Sequence, residues 1–109
     1  MEREESKQLP TGRVALVTGG ARRIGASVVR ALADRGYSVA IHANRALSEA
    51  REMARLLQLE GVPSLAVTAN MREEGPVRAM VHRVADHFGR IDALVTCASI
   101  WNPTRAGRR

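Results

Sequence analysis

Val14-Ala15-Leu16-Val17-Thr18-Gly19-Gly20-Ala21-Arg22-Arg23-Ile24-Gly25 is the stretch from which the fold is read. Its first four residues are continuously apolar and end at glycines, the pattern of a short strand buried on both faces. From about Arg23 the period changes. Ile24, Val28 and Leu32, joined by Val29 and Ala33, recur at helical spacing, and Arg35-Gly36 supplies a basic last turn and a C-cap glycine. Gly19 permits a sharp turn, small Gly20 and Ala21 keep the approach to it open, and Gly25 lets the helix pack closely on the strand. The N–H groups at such a helix start, together with the positive end of its dipole, favour a diphosphate.

The same alternation continues outward. Ser38-Val39-Ala40-Ile41 reads as a second strand. A helix from about Leu47 places Leu47, Ala50, Met53, Ala54 and Leu57 on one side and closes at Glu60-Gly61. Ser64-Leu65-Ala66-Val67-Thr68 is a third strand, entered through Pro63. A third helix turns Val77, Val81, Val84 and Phe88 inward, with Met80 and Ala85 beside them, and stops at Gly89. Ile91-Asp92-Ala93-Leu94-Val95-Thr96 is the fourth strand. The order β-α-β-α-β-α-β predicts an α/β, Rossmann-type three-layer fold, with a parallel sheet covered by helices on both faces. Because the glycine pattern lies between a strand and a helix, within a βαβ unit of roughly 30 residues, it is informative where a lone pattern is not. The chain divides into a polar leader (1–12), a cofactor-binding half-domain (13–104) and a basic tail (105–109).

The end of the second strand distinguishes the nicotinamide dinucleotides. An NAD-binding unit places an acid there, about 20 residues beyond the glycine turn, to hold the ribose 2′-hydroxyl. Here His42-Ala43-Asn44-Arg45-Ala46 carries none, and the next acid is Glu49. Arg45 stands where a 2′-phosphate needs a cation, and Arg23 can approach from the glycine turn; the planar guanidinium fork suits phosphate oxygens. NADP(H) is the expected cofactor.

Composition bounds the alternatives. The 109 residues suffice for one domain, and aromatic residues make up only 3%, so the core must be aliphatic. The net charge is +6, but the arginines are interspersed with acids, as in Arg51-Glu52 and Arg72-Glu73-Glu74. That pattern belongs to solvated helix faces more than to a nucleic-acid surface. Only Arg105, Arg108 and Arg109 form an unopposed cluster. Cys97 is the single cysteine, which rules out an intrachain disulfide and a cysteine-rich zinc site. His42, His82 and His87 have no accompanying cluster of metal ligands. No secretory or membrane-spanning pattern is present, so a soluble, cytoplasmic protein without membrane partners is expected.

These residues resemble the short-chain dehydrogenase/reductase family. The similarity lies in Val14 to Gly25, in Ile41-His42-Ala43-Asn44-Arg45, and in Asp92-Ala93-Leu94-Val95-Thr96-Cys97-Ala98-Ser99-Ile100-Trp101. Nearest are the pteridine-reductase and dihydromonapterin-reductase-like members, with the acyl-carrier-protein ketoreductases further off. The resemblance implies an NADPH-dependent carbonyl or pterin reductase working by hydride transfer. By position it assigns Thr18, Gly19, Arg22, Arg23, Ile24 and Gly25 to the pyrophosphate and ribose, and Asn44, Arg45 and Ala46 to the 2′-phosphate. Asn70 and Met71 fall to the adenine, although family members usually have Asp where Asn70 stands. Cys97-Ala98-Ser99 replaces the usual Asn-Ala-Gly or Asn-Ala-Ser, and a thiol cannot serve as donor and acceptor as an amide does. Trp101 stands where pterin-reducing members place an aromatic ring for a flat substrate.

The family's proton donor is a tyrosine one helical turn from a lysine, well beyond the fourth strand. This chain has only Tyr37 and Lys7, and neither fits. No catalytic residue is therefore assigned. The expectation is a fold truncated after the fourth strand and inactive alone, with strand four left as an edge that recruits other chains or aggregates. A non-catalytic NADP(H)-binding module is the alternative, its sheet completed by a partner chain or by a homo-oligomer.

Overall fold

The computed structural model describes residues 12–45 and 47–97. Four strands, β1 (Val14–Thr18), β2 (Ser38–Ala43), β3 (Ser64–Thr68) and β4 (Ala93–Thr96), alternate with three helices, α1 (Arg23–Asp34), α2 (Leu47–Leu59) and α3 (Glu74–Phe88). All pairings are parallel and the strand order is β3-β2-β1-β4. The expected α/β arrangement is the one observed.

Side-chain alternation along the strands divides the core between the two faces. Ala15, Val17, Val39, Ile41 and Ala43 pack with Val29 and Ala33 of α1 and Ala50, Ala54 and Leu57 of α2. Val14, Leu16, Ala40 and Val67 pack instead with Met80, Val84 and Phe88 of α3. Every residue of β1 and β2 is buried, as central strands require, whereas β3 and β4 alternate with partly exposed positions. Aliphatic side chains dominate both layers because two-sided burial leaves no solvent-facing position on the central strands.

Two helix faces differ from the expected ones. The buried line of α1 is Gly25, Val29 and Ala33; Ile24 is 75% exposed. In α3 the inward line is Met80, Val84 and Phe88, and Val81 points out. The other expected positions face the sheet, with Val28 and Leu32 of α1 and Val77 of α3 partly buried against the core; one residue of each stripe turns outward. β2 runs two residues further than expected, through His42 and Ala43, while β4 begins at Ala93 because Ile91 and Asp92 form its approach. Both α1 and α2 end on paired bonds that turn the chain towards the next strand: Gly36 N–H to Ala33 O with Tyr37 N–H to Leu32 O, and Gly61 N–H to Gln58 O with Val62 N–H to Leu57 O.

β4 is fixed against β1 at its entry. Asp92 donates its backbone N–H to Val14 O at 2.8 Å, and its Oδ2 accepts the Val14 N–H, also at 2.8 Å. Arg90 holds the same carboxylate through Nε and NH2. Charges elsewhere are paired along exposed helix faces, including Arg55 with Glu52, Arg78 with Glu74, and Arg30 with both Asp34 and Glu60. Among the described residues no helix is long and apolar enough to cross a membrane.

The Arg90 guanidinium, followed by the Val14 N–H, holds the Asp92 carboxyl below the usual carboxylate range. A depressed folded-state value contributes stability above the ordinary carboxylate range, and that stability is lost as pH falls through the folded value. Asp92→Asn should therefore lower Tm at neutral pH. The gap from wild type should narrow in melts below about pH 4; an equal gap at every pH would rule out the charged form as its source.

Candidate functional site

The chain runs from β1 to β2 to β3 in one direction and then returns to place β4 on the far side of β1. Reversals of this kind open a crevice at the carboxyl ends of the strands. Here it is a cleft of about 880 Å³ whose walls come from the glycine turn, the ends of β2 and β3, and Cys97 after β4.

The glycine turn is held by contact. A Cβ on Gly25 would lie 2.0 Å from Gly19 O and 2.8 Å from Gly20 Cα, so the helix start sits directly on the backbone of the turn. Gly19 has φ +68° and Arg23 has φ +49°. The second value lies in the left-handed region that glycine enters without penalty, and a side chain there costs about 1 kcal/mol. Gly20 does not keep the approach open as expected. It is buried, and a Cβ there would come within 3.1 Å of Val29 and 3.2 Å of Ile41, so its smallness serves packing beneath the turn.

The sequence-derived residues separate into those the cleft gathers and those it does not. Gly19, Arg22, Arg23, Ile24, Gly25, Asn44, Arg45, Asn70 and Cys97 all line it. Thr18 lies beneath, 1% exposed, and its Oγ1 has no hydrogen-bond partner among the described residues. Met71, partly buried, packs against the core on the α3 side. Ala46, Ala98, Ser99 and Trp101 lie outside the described residues. Among those described, no three His, Cys, Asp or Glu side chains come together as a metal site.

Sequence reasoning missed two contributors. Arg72 joins the rim because its backbone N–H is caught by Asn70 Oδ1 at 3.0 Å, which turns the chain after β3. His42 lies in the floor, sealed from solvent. The signal for it was available: a lone polar ring in a strand otherwise apolar. Asn70 spends one acceptor site on this turn, and its NH2 group has no partner among the described residues.

The rim is strongly cationic. Arg22, Arg23, Arg45 and Arg72 all reach it. Glu49, in the first turn of α2, engages Arg22 through Nε at 2.7 Å and NH2 at 3.3 Å, and the guanidinium holds that carboxyl below its ordinary range. Both side chains are at least half exposed, 66% and 50%, so the pair contributes little to stability. At the β4 wall, Cys97 donates its backbone N–H to Thr18 O at 3.0 Å and so extends the β1–β4 ladder into the cleft.

A family model described as short chain dehydrogenase matches residues 13–108. Hydroxynaphthalene reductase arp2 of Aspergillus fumigatus is 38% identical over 86 residues, covering 79% of this chain and 32% of its own. The 3-oxoacyl-[acyl-carrier-protein] reductase FabG of Staphylococcus aureus has the same identity over the same length, covering 79% of this chain and 35% of its own. Among solved structures, FolM alternative dihydrofolate reductase 1 from Brucella suis, in complex with NADP, superposes with a TM-score of 0.77 at 40% identity, covering 83% of this chain and 37% of that one. The chain thus spans about a third of the length of the relatives it matches. Ketoreductases and a dihydrofolate reductase stand at similar identity, so the ranking of pterin-type members as nearest is not reproduced.

Gly25→Ala should destabilise the chain by about 3 kcal/mol or more, since backbone rather than a yielding side chain opposes the new methyl. Urea unfolding would show this as a lower midpoint. A near-normal midpoint would mean the turn and helix can separate.

Proposed function

The chain belongs to the short chain dehydrogenase family, and from that premise we propose that its cleft binds NADP(H) as the cofactor-holding part of a reductase. The observation that carries this is the conjunction of a glycine-turn helix start with four rim arginines and no acid at the end of β2. The residues fit the group. The contact at Gly25 leaves the helix-start N–H groups open to a diphosphate. Arg45, with Arg22 and Arg23 across the turn and Arg72 beside it, supplies the cations a 2′-phosphate needs. Asn70 offers its free NH2 to the adenine where a carboxylate would only accept. Ala46, Ala98 and Ser99 would complete the contacts, with Met71 beside Asn70 at the adenine, and Thr18 lies beneath the turn.

When bound, the cofactor supplies a hydride for a carbonyl or pterin-type substrate. Trp101 is the residue we assign to stacking on a flat ring, and the dihydrofolate reductase relative supports the pterin choice. The chain's own groups bind and orient. Tyr37 stands at the opposite end of β2 from the cleft, too far to donate a proton there. We therefore expect the 109-residue chain to bind NADPH without turning it over. A second reading, a binding module whose sheet a partner or a second copy completes, is favoured by β4: among the described residues it pairs only with β1, and Leu94 is 60% exposed.

Calorimetric titration with NADPH and NADH tests the assignment. NADPH should bind more tightly, and Arg45→Ala should weaken it about tenfold while leaving NADH almost unchanged, the loss expected for one charge-assisted contact. Equal binding of both dinucleotides, or an equal loss for both in the variant, would remove the 2′-phosphate assignment. Absorbance at the reduced nicotinamide band, followed with ketone and pterin substrates, should show no oxidation by this chain alone.

A further inference from the structure

We propose that His42 is the positioning residue of the cleft, a single imidazole that ties the diphosphate turn to the adenine-side loop. The role rests on the cofactor reading above and goes beyond it, since the argument concerns how the contacting groups are held.

His42 is the penultimate residue of β2 and is 0% exposed. Its neighbours Ile41 and Ala43 pack towards α1 and α2, so alternation sends the imidazole to the other face. A polar ring in such a strand is desolvated, and only full hydrogen bonding offsets that cost. Both nitrogens are used. Gly19 N–H donates to Nδ1 at 3.0 Å, and Nε2 lies 2.8 Å from Ala69 O. A nitrogen facing an N–H must accept, and one facing a carbonyl must donate. The geometry therefore selects one neutral tautomer, with its proton on Nε2. The His42 carbonyl completes the clasp by accepting Gly20 N–H at 2.9 Å.

The N–H groups of Gly19 and Gly20 are both turned back onto His42 and withdrawn from the anion site. The open N–H groups are left to the helix start beyond them. On the other side the ring holds Ala69, directly before Asn70, whose side chain in turn sets Arg72. One side chain thereby fixes the relative placement of the two ends of the cleft. The charged groups facing it are Arg22 and Arg23 of the turn, Arg45 two residues past its own strand, Arg72 after β3, and Glu73, Glu74 and Arg78 at the start of α3. All of these are exposed, and both ring partners are backbone groups.

Two substitutions divide the clasp. In His42→Asn the amide oxygen sits as many bonds from Cβ as Nδ1 does, so it keeps the Gly19 bond and loses reach to Ala69. In His42→Gln the amide nitrogen matches Nε2, keeping Ala69 and losing Gly19. The probes are NADP⁺ and adenosine 2′-monophosphate, which lacks the diphosphate. His42→Gln should lose about tenfold in NADP⁺ affinity and change little towards the monophosphate, whereas His42→Asn should lose affinity for both in similar proportion. Losses that track each variant's thermal stability, identical for both probes, would reduce His42 to a packing role and overturn the proposal. Imidazole nitrogen chemical shifts of the wild-type chain give a readout that needs no variant to fold. A proton on Nε2 is expected, and a proton on Nδ1 with cofactor binding intact would overturn the clasp alone. Failure of the wild-type chain to bind either probe would overturn the cofactor reading, and the positioning role with it.

Discussion

Gly25 resting on the carbonyl of Gly19 is the contact from which the rest of the molecule takes its geometry. With 2.0 Å between that oxygen and the site of an absent Cβ, α1 can leave β1 in one direction only. That direction carries Val29 and Ala33 over the sheet, and it brings the helix start to the crevice where the strand order reverses. Between the two glycines Arg23 takes a left-handed conformation. The guanidinium held there gains access to the cleft at the cost of backbone strain, a trade that strained positions at functional sites commonly represent. Packing and recognition are therefore not separable in this turn.

The rim shows how a chain of net charge +6 keeps its positive potential local. Arg30, Arg55 and Arg78 on the helices are matched by acids a turn away or on the next element, and their fields are short-ranged in water. At the cleft the balance changes, with Glu49 set against four guanidinium groups. Glu49 engages the Nε edge of Arg22, leaving NH1 without a partner among the described residues. An anion entering the cleft meets a surface that is cationic by arrangement more than by total charge.

Much of the fold was legible because its signals are local. Short apolar runs with a glycine or proline within two residues of one end marked the four strands, and the changes of period marked the helices. What failed was rotation about a helix axis. Ile24 and Val81 fit an apolar stripe as well as Gly25 and Met80 do, and only the sheet decides which line faces inward. Much of the cleft was legible where a family motif named a residue, as with Arg22, Arg45 and Asn70. It was not legible for Arg72, which a hydrogen bond from its own backbone to Asn70 places there, or for His42, whose two ring partners lie 23 and 27 residues away. Met71, next to Asn70, packs against the core on the α3 side, a direction that adjacency in sequence does not give.

The spacing of the strand partners bears on how the cleft comes into being. Val14 pairs with Ser38 and Val39 with Ser64, 24 and 25 residues apart, whereas Ala15 meets Ala93 across 78. Closing the longer loop costs about 1 kcal/mol more in chain entropy. The β3-β2-β1 ribbon, with the imidazole of His42 already among its bonds, is thus the natural first structure, and β4 joins a surface prepared for it. During folding the side of the cleft built by the ends of β2 and β3 takes shape from near neighbours in the chain, and the wall bearing Cys97 closes last.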